Sequence, residues 1–174
     1  MANLVYIATS IDGYIATKDN GLDWLNNIPV IEDNDYGFAD FLNRIDCILM
    51  GTNTFEKVLS FSKWPYFKKV FVMSNSLKEI PENISDKAEI VSGNINEIIH
   101  NLKRLGYQNL YVDGGKVIQS FLQLNLIDEL IITRVPILLG DGIPLFGHIS
   151  EPIIFSKVKT EIYSNGLVTN HYIK

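Results

Sequence analysis

Two stretches of this 174-residue chain carry residue types suited to holding an anion. Asp113-Gly114-Gly115-Lys116-Val117 stands between a β-branched and aromatic run, Leu110 to Val112, and a segment in which Val117, Ile118, Phe121 and Leu122 recur at helical spacing. Two successive glycines at a strand-to-helix junction let the backbone come close to a ligand. The first amides of the helix have no partner inside it and can point at a phosphate. Gly51-Thr52-Asn53-Thr54 repeats the arrangement: the apolar run Ile45 to Met50 stops at a glycine, and small polar residues open a short helix whose inner face is Phe55, Val58 and Leu59. Asn53 with Glu56 three residues on is expected to form a capping box there. A Gly-Gly pair is also an ordinary tight turn, so each stretch alone is a weak signal; the chemistry both allow is binding of a nucleotide's phosphates.

The elements that must position these stretches follow from the apolar pattern. Leu4 to Ala8 is an apolar run without a polar face, as expected of a central strand covered on both sides, and Asp12-Gly13 turns the chain into a second short pair, Ile15-Ala16. Residues 17–34 form a long polar loop with Trp24 and Leu25 as its large anchors, a length that points to a functional segment. Phe38, Phe41, Leu42 and Ile45 predict a helix started by Asp33, Asn34 or Asp35. Further strands are expected at Ile45–Met50, Val70–Met73, Glu89–Val91 and Asp128–Val135. Asn94 and Glu97 box the start of an amphipathic helix carrying Ile95, Ile98, Ile99, Leu102 and Leu105, and Gly106 stops it. Pro136–Gly147 reads as a second Gly/Pro-rich loop, and Phe155–Tyr163 with Leu167–Ile173 around Asn165-Gly166 as an antiparallel hairpin. Strands alternating with helices imply one α/β domain, residues 1–174, with a mostly parallel central sheet, helices on both faces and a C-terminal antiparallel hairpin. In such sheets ligands bind outside the carboxyl ends of the strands, where the first loop and both glycine-opened helix starts fall.

Composition narrows the classes. With 47% hydrophobic and 20% charged residues, the chain reads as a compact globular domain. A formal charge of −5 argues against a nucleic-acid surface. No apolar run is long enough for a membrane helix, and the N-terminus, which reads directly as a strand, lacks a basic leader, so a cytoplasmic location is expected. Cys47, the single cysteine, sits in an apolar run and is expected to be a buried hydrophobe. His100, His148 and His171 lack ligand spacing, so no metal site is expected.

The order Ser10-x-Asp12-Gly13-x-Ile15-Ala16, Met50-Gly51-x-x-Thr54, Val112-Asp113-Gly114-Gly115 and Leu139-Gly140-x-Gly142-x-Pro144-Leu145-Phe146 resembles the dihydrofolate reductase superfamily over essentially the whole chain. It is closer to the branch that includes the C-terminal reductase domain of the riboflavin-biosynthesis deaminase-reductase, and closest to its small stand-alone bacterial members. The resemblance implies the dihydrofolate reductase-like three-layer fold and an NADPH-dependent reductase. Such an enzyme transfers a hydride to a C=N or C=O bond of a small, pterin- or pyrimidine-like substrate, and it acts as a homodimer. The alternative is a nucleotide-binding sensor or accessory protein without turnover.

Carried over by position, Ala8, Ile15 and Ala16 would flank the nicotinamide. Gly51, Thr52, Asn53 and Thr54 would hold the pyrophosphate and adenosine side, Gly114, Gly115, Lys116 and Val117 the pyrophosphate from the other helix, and Ser74 would lie near the adenosine ribose. Thr52 stands where dihydrofolate reductases commonly carry an Arg for the 2′-phosphate, so NADH is not excluded. Two carboxylates are candidate proton donors: Asp35, about sixteen residues before Gly51 as in those reductases, or alternatively a helix cap; and Asp12 of the riboflavin-type motif, or alternatively a turn residue. Tyr36 could bond the substrate or pack at the rim, and Trp24 could close over it or anchor the loop. Asp113, replacing a glycine common in those reductases, is expected to be structural.

Overall fold

The computed structural model describes residues 1–174. Eight strands form one sheet. In chain order they are β1 (Ala2–Thr9), β3 (Cys47–Gly51), β4 (Lys69–Met73), β5 (Ala88–Val91), β6 (Asn109–Asp113), β7 (Glu129–Arg134), β9 (Ser156–Ile162) and β10 (Val168–Ile173). Their spatial order is β5-β4-β3-β6-β1-β7-β10-β9, with every neighbouring pair from β5 to β7 parallel and the last two strands forming an antiparallel hairpin on β7. The mostly parallel sheet and terminal hairpin expected from the sequence are present.

Continuous apolar strands arise because successive side chains point to opposite faces and both faces are covered. In β3, Cys47 and Leu49 face the core under α3 (Ile95–Arg104) and α4 (Gly115–Gln123), where Ile98, Leu102, Ile118 and Phe121 pack. Ile48 and Met50 face the opposite core, under α1 (Phe38–Arg44) and α2 (Thr52–Leu59), with Phe41, Leu42, Phe55 and Val58. Cys47 is a fully buried member of the first core, and burial pushes its thiol up to about 12, so it stays protonated and inert. The capping box on α3 forms as expected: Asn94 Oδ1 accepts from Glu97 N at 2.9 Å, and Glu97 Oε2 accepts from Asn94 N at 3.3 Å.

The loops differ from the sequence reading. Residues Asp23–Asn27 form a short 3-10 helix inside the first loop. The two long loops are joined by a two-stranded ribbon, β2 (Tyr14–Ala16) with β8 (Ile143–Pro144). Neither strand is apparent from periodicity, because each is only two or three residues long.

Candidate functional site

β3, β6 and β1 are neighbours and run in one direction, so the segments leaving their carboxyl ends meet at one edge of the sheet. They wall a cavity of about 610 Å³ lined by Ala8, Ile15, Ala16, Gly51 to Thr54 and Gly114 to Val117. The geometry at the two helix starts is that of an anion cradle. Gly51 and Gly114 are the N-caps of α2 and α4, and neither helix start has a side-chain cap. The Asn53–Glu56 box does not form, because the helix already begins at Thr52 and Asn53 lies inside its first turn. First-turn amides without a side-chain acceptor remain free for a ligand.

Space enforces the glycines. Gly114 has φ +89°, and a Cβ there would run into the Thr54 hydroxyl; a Cβ on Gly115 would come within 2.8 Å of Ile15 Cδ1. Half-buried Lys57 and exposed Lys116 add positive charge to the same wall. These features fit a dinucleotide: two amide clusters for phosphates, two cations, and an apolar inner end formed by Ala8, Ile15 and Ala16.

A second cavity of about 360 Å³ adjoins the first, sharing Tyr6, Ala8 and Leu25, and extends toward Tyr36, Phe38, Thr133, Val135 and Leu167. Tyr36 lines this second cavity. Its hydroxyl accepts from Asn165 Nδ2 at 2.9 Å, and its ring meets Tyr163 edge-on at 5.0 Å. Asp35 is at the rim, but the burial expected for it is absent. It is exposed, with one oxygen accepting from Ala39 N at 2.7 Å and the other from Gly37 N at 3.0 Å, so it secures the first turn of α1.

Three other expected residues lie outside both cavities. Asp12 is exposed and accepts from the amides of Leu139 and Gly140 at 3.2 and 2.8 Å. The Ser10 hydroxyl above all, with those amides, holds its carboxyl below the usual range. It therefore straps the first long loop to the second and offers no proton near neutrality. Ser74 Oγ accepts from Leu77 N at 2.9 Å and Ser76 N at 3.2 Å, closing the turn after β4. Trp24 is buried beneath the first loop against Val135 and Leu167, because the 3-10 helix turns it inward; its neighbour Leu25 lines both cavities instead.

Asp113, expected to be structural, has a carboxyl raised well above its usual range, opposite to Asp12. It lines the larger cavity beside Tyr66 and Tyr111 and is partly open to it. Desolvation among these rings pushes its carboxyl up to about 6, against the opposing effects of the Gly114 amide, donating at 2.8 Å, and of the two tyrosine hydroxyls. The Tyr111 proton is itself committed to the Tyr6 carbonyl oxygen at 2.9 Å.

The Bacillus subtilis (strain 168) proteins YyaP and YwjB are 33% and 30% identical, covering 93% and 98% of this chain and 89% and 97% of their own. The riboflavin biosynthesis protein RibD of Corynebacterium ammoniagenes is 27% identical over 81% of this chain, a match spanning 44% of its length. A crystal structure of a Shewanella sp. PV-4 protein provisionally assigned to riboflavin biosynthesis superposes with TM-score 0.95 at 47% identity, covering 99% of this chain and 98% of that one. The Thermotoga maritima diaminohydroxyphosphoribosylaminopyrimidine deaminase/5-amino-6-(5-phosphoribosylamino)uracil reductase shares the fold, with TM-score 0.74 at 16% identity over 99% of this chain and 56% of that one. The family description "RibD C-terminal domain" matches residues 4–169, which takes in both glycine-opened helix starts and the sheet edge between them, and the chain belongs to that family.

Proposed function

We propose that this protein is a cytoplasmic NAD(P)H-dependent reductase of a small pyrimidine- or pterin-like heterocycle. The observation that carries the reading is the pair of adjoining cavities at the carboxyl edge of the sheet. One has a phosphate cradle at each of two helix starts, and the other is lined mostly by apolar and aromatic side chains. NADPH is the expected cofactor, with Lys57 or Lys116 supplying the charge that Thr52 lacks, and NADH is accepted more weakly.

When bound, the nicotinamide supplies the hydride. Asp113 holds a proton at the wall of that larger cavity at mildly acidic pH, beside the Gly114-Gly115 cradle. Ala8, Ile15 and Ala16 shape the inner end of the larger cavity, and Leu25 keeps water from the junction of the two. The homodimer implied by family resemblance would meet at the exposed edge strand β9, where Val158 and Ile162 are 55% and 79% exposed.

Titration with NADPH followed by tryptophan fluorescence, and then by NADPH consumption with pyrimidine and pterin substrates, tests the proposal. Quenching with consumption supports a reductase. Quenching without consumption of any of them assigns a nucleotide-binding accessory protein, and no quenching at all removes the dinucleotide reading.

A further inference from the structure

We propose that the second cavity admits a planar, unphosphorylated heterocycle, neutral or cationic, and discriminates against one carrying a phosphate arm. The proposal rests on the reductase reading above and narrows its substrate.

Its walls are the rings of Tyr6, Tyr36 and Phe38 and aliphatic groups such as Leu25, Val135 and Leu167. Two of the three side-chain hydroxyls on that wall are already engaged as donors or paired, and the third, on Tyr36, accepts from Asn165 and keeps its proton to donate to a ring. The Tyr6 hydroxyl donates to the Tyr36 carbonyl oxygen at 2.7 Å, and the Thr133 hydroxyl is paired with that of Thr169 at 2.7 Å. The one formal charge lining the cavity is Asp35, at its rim.

Nearby cations are directed elsewhere. Arg134 lies between Thr133 and Val135, both buried toward the cavity, so strand alternation sends its exposed side chain to the other face of the sheet. Lys18 is paired with Asp141 in the clasp between the two long loops. Lys57 and Lys116 line the larger cavity, on the two helices whose starts form the cradles. A phosphate in the second cavity would lose part of its hydration, gain no cation and approach a carboxylate. A flat ring bearing N–H donors would lie against the aromatic wall and find an acceptor in Asp35.

The test uses the full-length protein saturated with NADP⁺, so that no turnover occurs, and measures calorimetric dissociation constants for two probes. One is 5-amino-6-(5-phosphoribosylamino)uracil, the compound named for the Thermotoga enzyme, and the other is the same compound without its phosphate. The unphosphorylated probe is expected to bind at least about tenfold more tightly. Val30→Arg places a guanidinium at an 87%-exposed rim position, and is expected to shrink or reverse that preference without disturbing the core.

Tighter binding of the phosphorylated probe to the unaltered protein overturns the proposal, and loss of that preference in Lys57→Gln would locate the phosphate on α2. Binding of neither probe while NADP⁺ still binds overturns the proposed substrate class. Failure of NADP⁺ itself to bind brings down the reductase reading, so the two failures are distinguishable.

Discussion

At the scale of single residues, the site turns on how differently three aspartates are solvated. Asp12 and Asp35 are exposed and accept backbone amides, which is the work of straps and caps, whereas Asp113 is drawn among aromatic rings and retains its proton to about pH 6. Its ionisation adds a negative charge beside the phosphate cradle, so NADPH affinity is expected to fall as pH rises through about 6, and Asp113→Asn to remove that dependence. Fluorescence titration of both proteins with NADPH across that pH range checks this.

The same residue predicts a stability change of definite sign. Between its ordinary value of ~4 and about 6 the folded state keeps a proton that the unfolded state has released, so stability declines across that interval and stays lower above it. Asp113→Asn escapes the loss and is expected to be more stable than the parent at about pH 8, by ~3 kcal/mol at most. Denaturant unfolding at about pH 4 and pH 8 measures the difference. A sequence names all three acids equally; which of them loses its water is decided by residues far away in the chain, Tyr66 and Tyr111 among them.

At the scale of elements, the helix starts carry the argument. Gly114 is held at positive φ with Thr54 pressed against it, so α4, α2 and, through Gly115 and Ile15, the first loop interlock. Gly114→Ala is expected to cost ~2 kcal/mol or more in stability and to weaken NADPH binding at least about tenfold, read by denaturant melts and fluorescence titration. Asn94→Ala serves as its contrast. Loss of the α3 capping box should cost ~1 kcal/mol while leaving cofactor affinity unchanged, because α3 does not line either cavity. The two glycine-opened starts were legible from spacing alone. The ribbon between the long loops was not, since Tyr14–Ala16 and Ile143–Pro144 are too short to show a period.

At the scale of the whole molecule, the sheet ends on one side in a strand with almost every residue exposed. β9 presents an unpaired outer edge together with Val158 and Ile162. If a second copy covers it, Val158→Asp with Ile162→Asp converts a dimer to monomers in sedimentation velocity and leaves NADPH quenching intact, since neither residue lines a cavity. A protein that sediments as a monomer without these changes removes the proposed interface. No helix is long and apolar enough to cross a membrane.

What the sequence determined by itself was the order and type of the main strands and helices and the two places where a strand passes through glycine into a helix, because apolar period and glycine position are local properties of the chain. What only the tertiary structure decided was which polar groups share an enclosure. Asp113 entered it, while Asp12, Ser74 and Trp24 were turned to strap, turn and core, because solvation and direction depend on neighbours brought from distant parts of the chain.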